Sequence, residues 1–184
     1  MTAQIGDDVA YAGADWCLAG VNGGELFDPA SYGLRVRPAS TACWRGFVCR
    51  YGLRDNALYL EGLDVALEGE APPLLDKMPQ KPKEPLGFTA AYEGIGLHVP
   101  FSGGLLLARD FLLELYVHMG FHPAWKYAHV LEVELEAGRI SRVTDCSKAM
   151  ADIRSRVAGT DEPGPGSSHE EIEAWVERAF SRKY

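Results

Sequence analysis

From Leu131 to Glu136 apolar and acidic side chains alternate without a break: Leu131, Val133 and Leu135 against Glu132, Glu134 and Glu136. Successive side chains of a strand point to opposite faces, so this pattern predicts a strand with one face buried and one in water. Sheets wet on one face are antiparallel, and a chain built from such segments folds as hairpins. The same alternation runs through Leu58 and Leu60, then through Leu63, Val65 and Leu67. The apolar set moves from even to odd numbers across Gly62. A one-residue slip would turn that whole set to water, so a bulge or bend is expected there. Arg54-Asp55-Asn56-Ala57 and Ala137-Gly138 supply hairpin turns.

The rest of the chain extends this plan. Val9 to Leu18 reads as two short strands around Gly13, and Asn22-Gly23-Gly24 as a further turn. Phe27-Asp28-Pro29 opens a loop or one helical turn, and Leu34 to Arg37 a strand ended by Pro38. Cys43 to Tyr51 is rich in strand formers. If it is a strand, Trp44 faces the core and Arg45 reaches a carboxylate or carbonyl on the opposite face. Residues 69–87 hold five prolines and form a long, partly extended, exposed loop, either merely solvated or a recognition segment. Gly87 to Glu93 offers a strand. Gly94 to Gly104 reads as a glycine-rich turn region that fits no dinucleotide or P-loop pattern. Strands are expected at 105–109 and again near 112–118, although short apolar runs do not separate strand from helix. Ser147 caps a helix carrying Ala149, Met150, Ile153 and Val157. Residues 159–167 form a Pro-Gly linker. Residues 168–184 form an amphipathic helix, opened by a Ser168–Glu171 capping box and striped by Ile172, Trp175, Val176 and Phe180. That stripe must be covered, by its own domain, by a second copy in a homodimer, or by another protein. The expected fold is α+β: a mainly antiparallel β sheet or partly open barrel over residues 1–158, with one or two C-terminal helices.

Charge narrows the partners. Eighteen Lys and Arg against 26 Asp and Glu give a net charge of −8. Such a chain is repelled by nucleic-acid phosphates, and no basic run is longer than Ser181-Arg182-Lys183, so nucleic acid is not expected. An acidic protein is instead drawn to a basic protein partner. No apolar run reaches 18 residues, and the first residues lack the basic-then-apolar order of a secretion signal. The expectation is a cytoplasmic protein with no membrane contact. The four cysteines, Cys17, Cys43, Cys49 and Cys146, form no Cys-x-x-Cys pair and read as buried thiols in a reducing compartment.

Chemistry-bearing patterns are sparse. His118 and His122 have the i, i+4 spacing of half a zinc site, but no Glu follows the first, and Gly120 and Pro123 weaken any helix there. Neither metal nor cofactor is expected, and His118 is placed in a hydrogen bond within the β core. Ser102 lacks the first glycine of a nucleophile elbow. The sharpest binding candidate is a partly exposed groove formed by Trp125, His122 and Arg45.

Two segments, Ser40-Thr41-Ala42-Cys43-Trp44-Arg45-Gly46-Phe47 and Tyr116-Val117-His118-Met119-Gly120-Phe121, carry a resemblance. They resemble a set of small bacterial proteins of unknown function with a Trp-Arg-Gly-aromatic strand and a Tyr-Val-His-Met-Gly-Phe stretch, over residues 8–145. The resemblance implies a β-rich bacterial domain and no catalytic residue. Three functions stand as expectations. The first is a non-enzymatic cytoplasmic protein-binding domain, such as an immunity-type inhibitor of a basic partner. The second is a small hydrolase using His118 or His122 in an aromatic-lined pocket. The third is a scaffold subunit.

Overall fold

The structure, a computed structural model, describes residues 2–84, 86–157 and 167–184. In chain order the elements are β1 (Asp8–Tyr11), β2 (Ala14–Asn22), β3 (Phe47–Arg54), β4 (Ala57–Val65), β5 (Ala90–His98), β6 (Gly103–Phe111), β7 (Tyr127–Glu136), β8 (Arg139–Asp145), α1 (Ser147–Val157) and α2 (His169–Phe180). The fold is α+β, an eight-stranded and mostly antiparallel sheet with two helices. No helix among the described residues is long and apolar enough to cross a membrane.

The strands follow the order β3-β1-β2-β6-β7-β8-β4-β5, and pairing of β3 with β4 returns the ladder to its start. Among the described strands only β1 and β3 run parallel. β8 meets β4 at a single pair, Ala57–Arg139, while β5 takes the length of β4 from Tyr59 to Val65. The result is a partly open barrel. Three hairpins close through paired left-handed residues, Ala12-Gly13, Asp55-Asn56 and Ala137-Gly138, the backbone that matches strand twist in two-residue turns. The bulge falls where the change of parity places it. Arg50 pairs with Gly62 and Tyr51 with Leu60, leaving Glu61 unopposed.

The core lies inside the barrel, where Val9, Leu18, Leu60, Leu63, Tyr92, Leu105, Leu107 and Val133 are all but fully buried. A second, smaller cluster packs on the outer face. It joins Ala19, Leu106, Ala108, Ala124, Tyr127 and Val130 to Met150 of α1. β6 is therefore covered on both sides over residues 105–108, which is why that stretch is apolar without alternating.

Several expected elements are corrected. The strand expected over 43–51 starts only at Phe47, because residues 40–46 turn back through the Ser40–Cys43 bridge. Trp44 is consequently 50% exposed and lies outside the core. Leu34 to Arg37 contributes one bridge, Val36–Leu67, and no strand. β5 begins at Ala90 and runs through the expected turn region to His98, absorbing Gly94 and Gly96 as a bulge at positive φ. The strand expected near 112–118 is absent: β6 makes its last pair at Phe111–Tyr127, and a 3-10 turn at Leu113–Leu115 follows. At α1, Asp145 and not Ser147 supplies the cap, its carboxylate accepting from the Ser147 N–H at 2.9 Å. The Ser147 hydroxyl instead accepts from the Val130 N–H of β7. Part of the proline-rich segment is strapped to the barrel, with Leu74 buried and the Tyr92 hydroxyl donating to the Pro72 carbonyl at 2.6 Å. The linker expected over 159–167 lies, except for Ser167, outside the described residues. The capping box of α2 forms as its residues specify: Ser168 N–H donates to Glu171 at 2.8 Å, and Glu171 N–H to the Ser168 hydroxyl at 3.2 Å.

Candidate functional site

The site is built on Asp7, which immediately precedes β1 and is 1% exposed. A buried carboxylate requires compensating donors. Arg45 donates to both of its oxygens, the Cys49 N–H of β3 donates at 2.7 Å, and Arg182 donates at 2.6 Å. Burial alone would raise the Asp7 pKa, but the guanidiniums of Arg45 and then Arg182 outweigh it and hold the carboxyl below its usual value. Arg45 is delivered by the turn over residues 40–46, and its guanidinium also lies 4.8 Å from the centre of the Phe47 ring.

Arg182 arrives from the C-terminal segment, which is docked on its own domain. The Val21 N–H of β2 donates to the Arg182 carbonyl at 2.6 Å, and the Phe121 N–H to the Ala179 carbonyl at 2.6 Å. Phe180 stacks on Trp44 with ring centres 5.2 Å apart. Arg182 lies over the Phe121 ring at 5.1 Å. The Tyr184 hydroxyl donates to Glu132 at 3.0 Å, and its ring is seated where Gly20 and Gly104 carry no side chain. Any Cβ at Gly104 would clash with that ring's hydroxyl.

A cavity lies on each side of this segment, and Ser181, Arg182 and Lys183 line both. The first, about 570 Å³, sits between the outer sheet face and the two helices, with Leu106, Met119, Trp125, Met150 and Trp175 in its wall. The second, about 590 Å³, lies over Asp7 and Arg45, with Phe27, Phe47, Tyr51 and Phe180 in its wall.

The expected groove of Trp125, His122 and Arg45 does not form as one site. His122 and Trp125 line the first cavity, and Arg45 lines the second. His118 and His122 share no helix. His118 is exposed, with its Nδ1 3.0 Å from the Tyr116 hydroxyl, and so lies outside the β core in which it was expected. His122 packs among Phe111 and Tyr116 at 4.6 and 5.1 Å, its Nδ1 buried without a hydrogen-bond partner. Burial, then the Lys126 charge, pushes its pKa down to about 4. Of the α2 stripe, Trp175 lines the first cavity, Val176 is half-buried, Phe180 meets Trp44, and Ile172 is left 40% exposed. No group of three or more His, Cys, Asp or Glu able to hold a metal ion occurs among the described residues. All four cysteines are free thiols, Cys43 and Cys49 buried, Cys17 and Cys146 half-buried.

Sequence reasoning found Arg45 but missed Asp7, its partner, and Arg182, the second cation on that carboxylate. Asp7 sits in the unremarkable Gly6-Asp7-Asp8, and Arg182 lies beyond the apolar stripe of α2. The readable signal was the order of the Asp7-Asp8 pair: Asp8 is the first residue of a strand whose Val9 faces the core.

The fold and the Asp7–Arg45–Arg182 ion pairs together define a partly open, mostly antiparallel barrel whose C-terminal segment is ion-paired into its wall. Set against known proteins, the chain matches no protein family, no curated protein and no solved structure.

Proposed function

We propose that the protein is a non-catalytic, cytoplasmic binding protein of the immunity type, which covers a basic protein partner with the outer face of α2. The observation that carries this reading is the way α2 divides its two faces. Trp175 and Phe180 are turned onto its own domain, whereas Glu170, Glu173 and Glu177, spaced on one helical face, are exposed. Ile172, on the apolar stripe with Trp175 and Val176, is left 40% exposed beside the domain. Charge of this kind speeds association and selects partners.

The hydrolase reading has less support. His118 is exposed beside a tyrosine, and the charge that acts on His122 is the cation of Lys126. No acceptor orients the His122 ring through Nδ1, as the third member of a catalytic triad does for its histidine.

The test is affinity capture from the native cell with the full chain and with a Glu170→Lys, Glu173→Lys, Glu177→Lys variant. The expected result is one basic protein, retained by the natural chain, released by salt, and lost from the variant. Equal capture by both chains overturns the proposal.

A further inference from the structure

We infer that the second cavity is a binding site for a small organic anion with an aromatic or apolar body. Two guanidiniums converge there on one carboxylate, so the Asp7, Arg45 and Arg182 group carries a net positive charge inside an acidic protein. Asp7 is already saturated. An ionised carboxylate offers about four acceptor positions, and two bonds from Arg45, one from Cys49 and one from Arg182 use them. The remaining guanidinium donors must look elsewhere, and Arg45 Nε is buried without a hydrogen-bond partner. Lys183 adds a further cation to the same wall.

The acidic residues of that wall do not meet this demand. Asp28 is held by the turn that follows it, accepting from the Ala30 N–H at 2.9 Å and the Ser31 hydroxyl at 2.7 Å. Glu25 is exposed. The rest of the lining supplies the body of the ligand: Phe27, Phe47, Tyr51 and Phe180 offer aromatic surface. A volume of about 590 Å³ is that of a small-molecule site, and such sites pair apolar walls with a few convergent polar groups. Paired arginines suit carboxylate and phosphate oxygens alike, through bidentate, charge-assisted bonds. The shared chemistry is therefore an oxyanion on an aryl or similar apolar group.

The test is calorimetric titration of the full chain with phenyl phosphate, benzoate and inorganic phosphate at matched ionic strength. Saturable binding is expected for at least one of the two aryl probes, and the tighter one identifies the oxyanion as phosphate or carboxylate. Inorganic phosphate should bind at least about tenfold more weakly than phenyl phosphate; equal affinity overturns the aromatic wall as part of the site. Arg45→Lys keeps the charge and removes the fork, and should weaken binding by about tenfold. Lys183→Gln, at an exposed position, should weaken it by about threefold and decides the matter if Arg45→Lys does not fold. No saturable binding by either aryl probe at about 10 mM, well beyond a millimolar dissociation constant, or affinity unchanged in both variants, overturns the proposal.

Discussion

Arg182 donates from Nη1 to the buried carboxylate of Asp7 at 2.6 Å, across 175 positions of chain. This one contact ties the C-terminal segment to the start of the first strand. Asp7 also receives Arg45 and the backbone of β3, so it joins three separate regions of sequence. A buried ion pair of this kind contributes little net energy against an apolar replacement, but breaking it leaves stranded charge.

Asp7→Asn should therefore destabilise the protein by about 3–5 kcal/mol, because two guanidiniums lose their counter-charge. The sign with pH follows from the lowered Asp7 pKa. A carboxyl depressed in the folded state stabilises fully above its unfolded value of about 3.9, and the contribution is lost as pH falls through the folded value. Urea midpoints measured from pH 6 to pH 2 should fall less steeply below about pH 4 in Asp7→Asn than in the natural protein. Parallel curves would show that Asp7 is not the titrating group.

Removing residues 160–184 should leave the barrel folded, since its ladder closes without them. The truncated chain loses Arg182 from Asp7 and uncovers the outer face around Ala19 and Leu106. A stability loss of about 1.5–3 kcal/mol is expected from the missing charged hydrogen bond, together with increased binding of a hydrophobic dye. Unchanged stability and no dye binding would mean that α2 serves an external partner and not the fold.

Trp44 is 50% exposed and stacks on Phe180. Trp44→Ala should therefore cost far less than a core tryptophan, whose truncation costs about 3–5 kcal/mol. The double-mutant cycle with Phe180→Ala should return a coupling of about 0.5–1.5 kcal/mol, the range for an aromatic pair. Zero coupling by chemical denaturation would remove the stacking from the forces that hold α2.

The hairpins were legible in the sequence because each states its own local rule. Alternation set the faces of β4 and β7, turn residues placed the reversals at Asp55-Asn56 and Ala137-Gly138, and the change of parity at Gly62 placed the bulge. The capping box at Ser168 was legible for the same reason. What failed depended on contacts distant in sequence. The strand expected around Trp44 gave way to a turn that delivers Arg45 to Asp7, 38 positions away. The strand expected near 112–118 had the right composition, but its neighbour β7 begins only at Tyr127 and offers it no partner. The candidate site was half legible: Arg45 stood out beside Trp44, whereas Asp7 and Arg182 acquire meaning only when the ends of the chain meet.

His122 gives a last test, through its environment. Its ring sits among Phe111 and Tyr116, and burial followed by the Lys126 charge lowers its pKa to about 4. The unfolded chain takes up that proton near pH 6.5. Between these values the unfolded state binds more protons than the folded one, so stability rises with pH across the window from about 4 to 6.5. The contribution is complete above pH 6.5 and is lost as pH falls toward 4. In the full chain, the ring proton resonance of His122 should titrate with a midpoint of about 4. His122→Phe, which preserves the ring packing, should flatten the stability profile across the same window. A midpoint near 6.5 would show that water reaches the ring, and the aromatic enclosure of His122 would have to be abandoned.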